Sequence, residues 1–238
     1  MSTSVKRLLL SGSFICVATA SVADDWDYTI TPYVWLPSLD VSLDVGPNPP
    51  VSSEKSILDV LDGAFLINGE ARKKRWSFLG EFNYLNLSDD FALGPSNIRA
   101  GWALQGTMIS VGAGYAVLDD SRTRLEVVGG LRAWDLEATT RVANVRARQD
   151  VSFIDPMIGL RVETPLSDRV TLHGLANIGG DNFGSDQQIE AIAQVSIPFR
   201  DTMSMAAGYR YLQVDFSEDN VVSDTTMQGP FISFSFNF

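Results

Sequence analysis

A chain of 238 residues with one cysteine and one histidine has few routes to thiol or imidazole chemistry. The cysteine, Cys16, lies in the apolar part of an N-terminal segment that reads as a removable export signal. The mature chain then carries no thiol, so disulfides, thiolate metal sites and cysteine nucleophiles fall away. After residue 23 there is also no run of the roughly 20 consecutive apolar residues that a membrane-spanning helix needs. Basic residues are the minority: 18 Lys and Arg against 29 Asp and Glu give a formal net charge of −11. That balance argues against a nucleic-acid partner. Missing too are a Gly-x-Ser-x-Gly elbow, a His-rich metal cluster and a phosphate-cradling glycine loop, and no cofactor is expected.

What is present begins with that export signal. Lys6 and Arg7 precede an apolar stretch over 8–20, and Ser21-Val22-Ala23 supplies small side chains at both positions a signal peptidase inspects. Cleavage is expected after Ala23, giving a signal peptide over 1–23 and a mature domain over 24–238. Ile15 stands where a lipoprotein signal would have a small residue, which argues against lipid attachment at Cys16.

Period-two alternation then recurs along the mature chain. It predicts ten strands, at 26–36, 63–72, 75–87, 103–118, 123–137, 152–164, 169–179, 187–199, 202–216 and 226–238. The connections at 73–74, 119–122, 165–168 and 200–201 are short and polar, whereas those at 37–62, 88–102, 138–151, 180–186 and 217–225 are longer. Strict short–long alternation with an even strand count is the pattern of an all-β, antiparallel transmembrane β-barrel with both termini periplasmic. Eight or twelve strands are the alternatives. Leu39, Val41, Leu43 and Val45 alternate with polar residues, so this piece either extends the first strand past a kink at Pro37 or forms an extra hairpin arm. The stretch 56–62 reads as either a short amphipathic helix or a strand entering the barrel.

Each strand then has two faces. Phe65, Trp76, Phe78, Phe82, Ile109, Leu131, Ile158, Ile178, Val195 and Tyr209 fall on a face free of mid-strand charge, as a lipid-facing surface requires. The opposite face carries Glu70, Arg72, Glu81, Glu126, Arg132, Asp155, Arg161, Glu163, His173, Glu190 and Arg210. In a narrow barrel these would meet across the lumen as a charge network, since an unpaired charge there is poorly solvated. Arg161 and Arg210 have Asp155 and Glu163 as candidate partners. Trp26, Tyr28, Trp35, Trp76, Trp102, Tyr115, Phe199 and Phe216 are candidates for the interfacial aromatic girdles. On this register Phe82→Arg should harm assembly far more than Ser77→Arg.

Several segments carry a resemblance. Pro230-Phe231-Ile232-Ser233-Phe234-Ser235-Phe236-Asn237-Phe238 is similar to the C-terminal signature of bacterial outer-membrane β-barrels, an alternating strand finishing on Phe. Asp155-Pro156-Met157-Ile158-Gly159-Leu160-Arg161, then Gly179-Gly180-Asp181-Asn182-Phe183-Gly184-Ser185-Asp186, then Gly208-Tyr209-Arg210-Tyr211-Leu212, resemble the DPxxGLR, GGxxxGSD and GYRYL elements of a group of Gram-negative outer-membrane barrels. The resemblance implies no particular reaction or cargo. The resemblance implies a place in the cell outer membrane, contact with its lipids and lipopolysaccharide, and recognition of the last strand, ending at Phe238, by the barrel-assembly machinery.

Three roles follow as expectations. The first is a narrow channel or binding module for small solutes, and the second a structural or surface-interaction barrel with a plugged lumen. The third and weakest is a hydrolase using His173 with Glu163 or Glu190, which would resemble the omptin proteases. Since the alternation places His173 mid-strand and inward, away from the rim, the protein is not expected to be an enzyme.

Overall fold

Alternating sequences of this kind bury backbone polar groups only by pairing, and here the pairing runs in a closed circle. The computed structural model describes residues 26–45, 51–56, 60–93, 98–120, 122–180, 184–218 and 221–238. The expected signal over 1–23 with Cys16, residues 57–59 of the candidate helix, and Asp181, Asn182 and Phe183 lie outside them.

Among the described residues twelve antiparallel strands form: β1 (Asp27–Trp35), β2 (Ser38–Val45), β3 (Val51–Ser56), β4 (Leu61–Lys73), β5 (Trp76–Leu93), β6 (Ile98–Asp119), β7 (Arg124–Val142), β8 (Val145–Ser167), β9 (Val170–Gly180), β10 (Gln187–Arg200), β11 (Met203–Glu218) and β12 (Val221–Asn237). Ten of them, β1 and β4 to β12, make the barrel, and β1 closes on β12 through pairs from Thr29↔Asn237 to Trp35↔Phe231. β2 prolongs β1 beyond Pro37 along the same neighbour, from Ser38↔Gln228 to Val45↔Val221, and β3 folds back on it. Both readings of the Leu39 to Val45 alternation are therefore realised: extension and arm. Leu61 and Asp62 belong to β4, not to a helix.

The register fixes the shape. Followed partner by partner around the wall, Thr29 leads through Glu70, Leu79, Gly112, Gly130, Met157, Gly179, Gln188, Val214 and Thr225 back to Val41. That is a shift of 12 residues along β1–β2. With ordinary strand spacings this shear gives a tilt of about 40° and a backbone radius of about 10 Å. Irregularities sit at the rims, at Leu61/Gly63, Ala116/Leu118, Pro165/Ser167 and Pro198/Arg200, where bulges end or redirect pairing.

The short turns fall at one end, with the outer ends of β1 and β12. In one of them Asp120 accepts N–H bonds from Arg122 at 2.8 Å and Thr123 at 2.7 Å, which hold its carboxylate below the usual aspartate range. At the other end three expected loops are instead strand. β5 and β6 continue to Leu93 and from Ile98, β7 and β8 meet in a tight turn at Ala143 and Asn144, and β11 and β12 continue to Glu218 and from Val221. These extensions lack one-sided alternation because beyond the apolar belt both faces can meet water.

The outer face bears that belt: Ile30, Val34, Phe65, Phe78, Phe82, Ile109, Val111, Leu131, Ile158, Leu160, Ile178, Ile197 and Phe234 are all exposed. Towards the short-turn end it finishes in aromatics. Trp76 packs edge-on to Tyr115 with centroids 4.9 Å apart, and Trp26 lies against Tyr28 and Phe78. Three of the girdle candidates turn inward. Trp35 is buried, Trp102 packs with Leu87 in an inner cluster, and Phe216 stacks on Phe153.

Phe82→Arg should place a guanidinium in hydrocarbon at a cost of about 2–4 kcal/mol, whereas Leu79→Arg, on the lumen face of the same strand, should be tolerated. Ser77, the control suggested by alternation, has no room: it is wholly buried and donates to Glu126 at 3.3 Å. Folded fraction by heat-modifiable gel mobility checks the contrast, and equal losses for the two variants would refute the register of β5.

Candidate functional site

The lumen is built from every second residue of each strand, and its character changes along the barrel axis. From the short-turn end a cavity of ≈ 830 Å³ runs inward from rim residues Asp27, Thr202 and Phe238 to a roof that includes Glu81, Arg132, Glu190 and Arg210. Beyond the roof the inward side chains are mostly apolar, with buried Gln188 among them accepting from Trp134 Nε1 at 3.0 Å. Tyr33, Trp35, Leu66, Met108, Trp134, Leu212, Val214 and Phe231 form one buried cluster, with Leu136, Phe153, Ile192 and Met227 against it. A polar lumen thus describes one half of the interior, and the other half is a packed core.

The roof is a lattice of two acids and two bases from four strands. Arg132 on β7 reaches Glu190 on β10 at 2.6 Å, and Arg210 on β11 reaches Glu81 on β5 at 2.7 Å and Glu190 at 2.5 Å. Arg132 also donates to Ser110 Oγ at 2.9 Å, and Asn177 to Glu190 at 2.8 Å. The Tyr33 hydroxyl lies 2.6 Å from Asn83 Oδ1 and 2.8 Å from Glu81 Oε1, and accepts from Arg210 Nη1 at 2.7 Å. On its far side Arg210 lies over the Trp35 ring, 4.9 Å from the centroid, where the indole face favours a cation. Arg132 and Arg210 are each 2% exposed and Glu190 1%, so these charges are held by one another, with little water.

A second network lies nearer the open end. Arg161 on β8 spans the lumen to Glu70 on β4, with Nη2 2.6 Å and Nη1 3.0 Å from its two oxygens, and its Nε donates to Glu126 at 2.6 Å. Arg72 joins Glu70 at 3.0 Å and Glu163 at 3.1 Å. Arg124 meets Glu126 at 2.7 Å and Asp119 at 2.8 Å. This chord passes over the inward positions of β6 and β7, where the backbones crowd: a Cβ on Gly130 would stand 2.3 Å from the Val111 carbonyl oxygen.

The residues singled out in the sequence thus divide. Glu81, Arg132, Glu190 and Arg210 form the roof, and Glu70, Arg72, Glu126, Arg161 and Glu163 the chord. Asp155 is drawn away from both. Wholly buried, it accepts from the backbone N of Ser185 at 2.9 Å and its Oγ at 2.7 Å, fastening the β9–β10 turn to β8. The partners of Arg161 and Arg210 are accordingly Glu70 and Glu126, and Glu81 and Glu190, in place of Asp155 and Glu163. His173 is 2.8 Å from Ser196 Oγ through Nε2 and 3.9 Å from Glu163 through Nδ1. Tyr33, Ser110 and Ser196 were not singled out. For Tyr33 a signal existed, since Thr29 and Thr31 share its phase on β1 and mark that face as inward.

Glu190→Gln should leave Glu81 alone to balance both the Arg132 and Arg210 guanidinium groups, one buried positive charge in excess, and cost about 3–5 kcal/mol. Glu190→Gln with Arg132→Gln should cost less than the sum of the two single changes, because each removes the other's stranded partner. Urea unfolding in detergent, followed by tryptophan fluorescence, checks both; strict additivity would mean the pair is not coupled.

The sequence matches no family model, and no curated protein matches it. Solved structures match by shape. The outer membrane protease OmpT from Escherichia coli superposes with a TM-score of 0.61 at 10% identity, over 93% of this chain and 99% of that one. The translocator domain of the autotransporter NalP from Neisseria meningitidis gives 0.50 at 13% identity, over 91% and 90%. At these identities the likeness is one of fold: this chain has the closed antiparallel barrel of Gram-negative outer-membrane proteins.

Proposed function

We propose that the protein is an integral outer-membrane β-barrel of a Gram-negative bacterium, belonging with the barrels that carry DPxxGLR, GGxxxGSD and GYRYL elements, and that its lumen is closed to through-passage. The exposed apolar belt with an aromatic margin supports the membrane placement. The short-turn end faces the periplasm on this reading, as in barrels whose longer segments project outward. The cavity is then a blind vestibule filled from the periplasm, and the arm β2–β3 and the extended hairpins stand on the outer side.

One observation carries the closed reading. The Glu81–Arg132–Glu190–Arg210 roof is backed by a buried apolar cluster, so an ion would have to part paired charges and then cross a dry core. This favours the structural or surface-interaction barrel over the narrow channel. The refolded protein in a planar bilayer should show no discrete conductance steps, with folding verified by heat-modifiable mobility. Regular steps that change in size or ion selectivity in an Arg161→Ala, Arg210→Ala variant would overturn the proposal.

A further inference from the structure

The vestibule wall is chemically lopsided. Between the roof and the rim, charges crowd the side made by β4, β5, β7 and β8, whereas β9 to β12 and β1 contribute mainly hydroxyls, among them Thr171, Ser196, Ser204 and Ser235. Where the two sides meet, three neighbouring strands place an acid, a base and a hydroxyl in line. Glu163 on β8 is the direct register partner of His173 on β9, and Ser196 lies on the next strand, β10. The imidazole sits between them, Nε2 at 2.8 Å from Ser196 Oγ and Nδ1 at 3.9 Å from Glu163 Oε2. The two ring nitrogens are thus used as an acyl-transfer relay uses them, one towards the nucleophile and the other towards a carboxylate. All three residues line the open cavity, and His173 and Glu163 are about a third exposed, so a solute can reach them.

We infer that Ser196 and His173, positioned by Glu163, form an acyl-transfer site that hydrolyses small carboxylic esters entering from the open end of the barrel. Ser196 Oγ attacks the ester carbonyl as its proton passes to His173 Nε2. The bond from carbon to the leaving alkoxide oxygen then breaks, and the imidazolium returns that proton to it. Water attacks the resulting acyl-Ser196 with its proton going to Nε2, and the carbon–Oγ bond breaks as Oγ regains a proton. No oxidant or reductant enters.

The surroundings fit this chemistry. In a sheet the backbone N–H groups are committed to the ladder, so stabilisation of the oxyanion must come from side chains. Gln194 is the register partner of His173 and Thr171 that of Ser196, and both line the cavity beside the reacting pair. Further in, Leu175, Ile192 and Ala206 offer an apolar patch below the roof for a short acyl group. The vestibule ends there, which excludes long chains and selects small soluble esters. His173 faces Glu163 and Arg161 from β8 and Glu70 and Arg72 from β4 across the lumen. Arg72 also holds Glu163 at 3.1 Å, fixing the carboxylate on the His173 side of the chord.

The test uses the refolded full-length barrel, with fold verified for every variant by heat-modifiable mobility. A small alkyl fluorophosphonate should label one serine, mapped by mass spectrometry to Ser196, and Ser196→Ala and His173→Ala should abolish labelling. p-Nitrophenyl acetate turnover should fall at least ~100-fold in both, as expected on losing nucleophile or base, while Ser204→Ala, a hydroxyl in the same wall, leaves it unchanged. Glu163→Gln should keep the label but lower kcat and move the acidic limb of its pH profile, which loss of a merely structural contact would not do. Labelling at another residue, no labelling, or unaltered turnover in Ser196→Ala overturns the inference. These readouts are independent of conductance, so a silent barrel and a catalytic vestibule are judged separately.

Discussion

Inside hydrocarbon a backbone N–H or C=O without a partner costs several kcal/mol, and the rest of this structure follows from how the chain avoids that. Ten strands pair in a circle with a net shift of 12 residues, so the wall closes on itself and parts only between β1 and β4 beyond the Pro32–Ile67 pair. The same shift sets the tilt and the radius, and the radius sets how much interior must be filled. Proline marks where the circle relaxes. Pro32 is the last residue of β1 paired with β4, and past it β1 stays with β12 and becomes β2.

A bore of about 10 Å backbone radius is spanned only by side chains reaching from opposite walls, and arginine with glutamate provides the longest complementary pair. This explains why the crossings are Arg161 to Glu70, Arg210 to Glu81 and Arg132 to Glu190, and why each joins strands that are not neighbours. Shorter Asp155 finds its partner on an adjacent turn instead. Each crossing charge meets at least one opposite charge, and most meet a hydroxyl or amide as well, so the interior acts as a set of braces. Nearer the far end the bore fills with Trp35, Trp134, Met108 and Leu212, which need no counter-charge and exclude water.

The two fillings give the lumen a direction. One end is wet, lined with hydroxyls and paired charges; the other is dry. On the proposed closed reading a solute enters and dwells in the wet end, which suits binding or chemistry at the vestibule wall better than conduction. His173 belongs to that wall, on the boundary between the charged and hydroxyl sides, where a base can contact a serine and a carboxylate at once.

By itself the sequence determined the barrel strands and their inward and outward faces, because a period of two is a local property that hydrocarbon on one face enforces residue by residue. It did not reveal that β5 to β8 continue well past the belt, since strands with water on both faces carry no such period. Nor did it separate Trp35 and Trp102, which turn inward, from Trp76, which faces out: an aromatic near a strand end satisfies either environment, and only its phase against Thr29 and Thr31 or Leu104 tells. Which arginine meets which glutamate, and the approach of Ser196 to His173, were decided by tertiary structure alone. Those contacts depend on the register of up to ten strands around a closed wall, and a shift of one residue anywhere in that circle would exchange every partner.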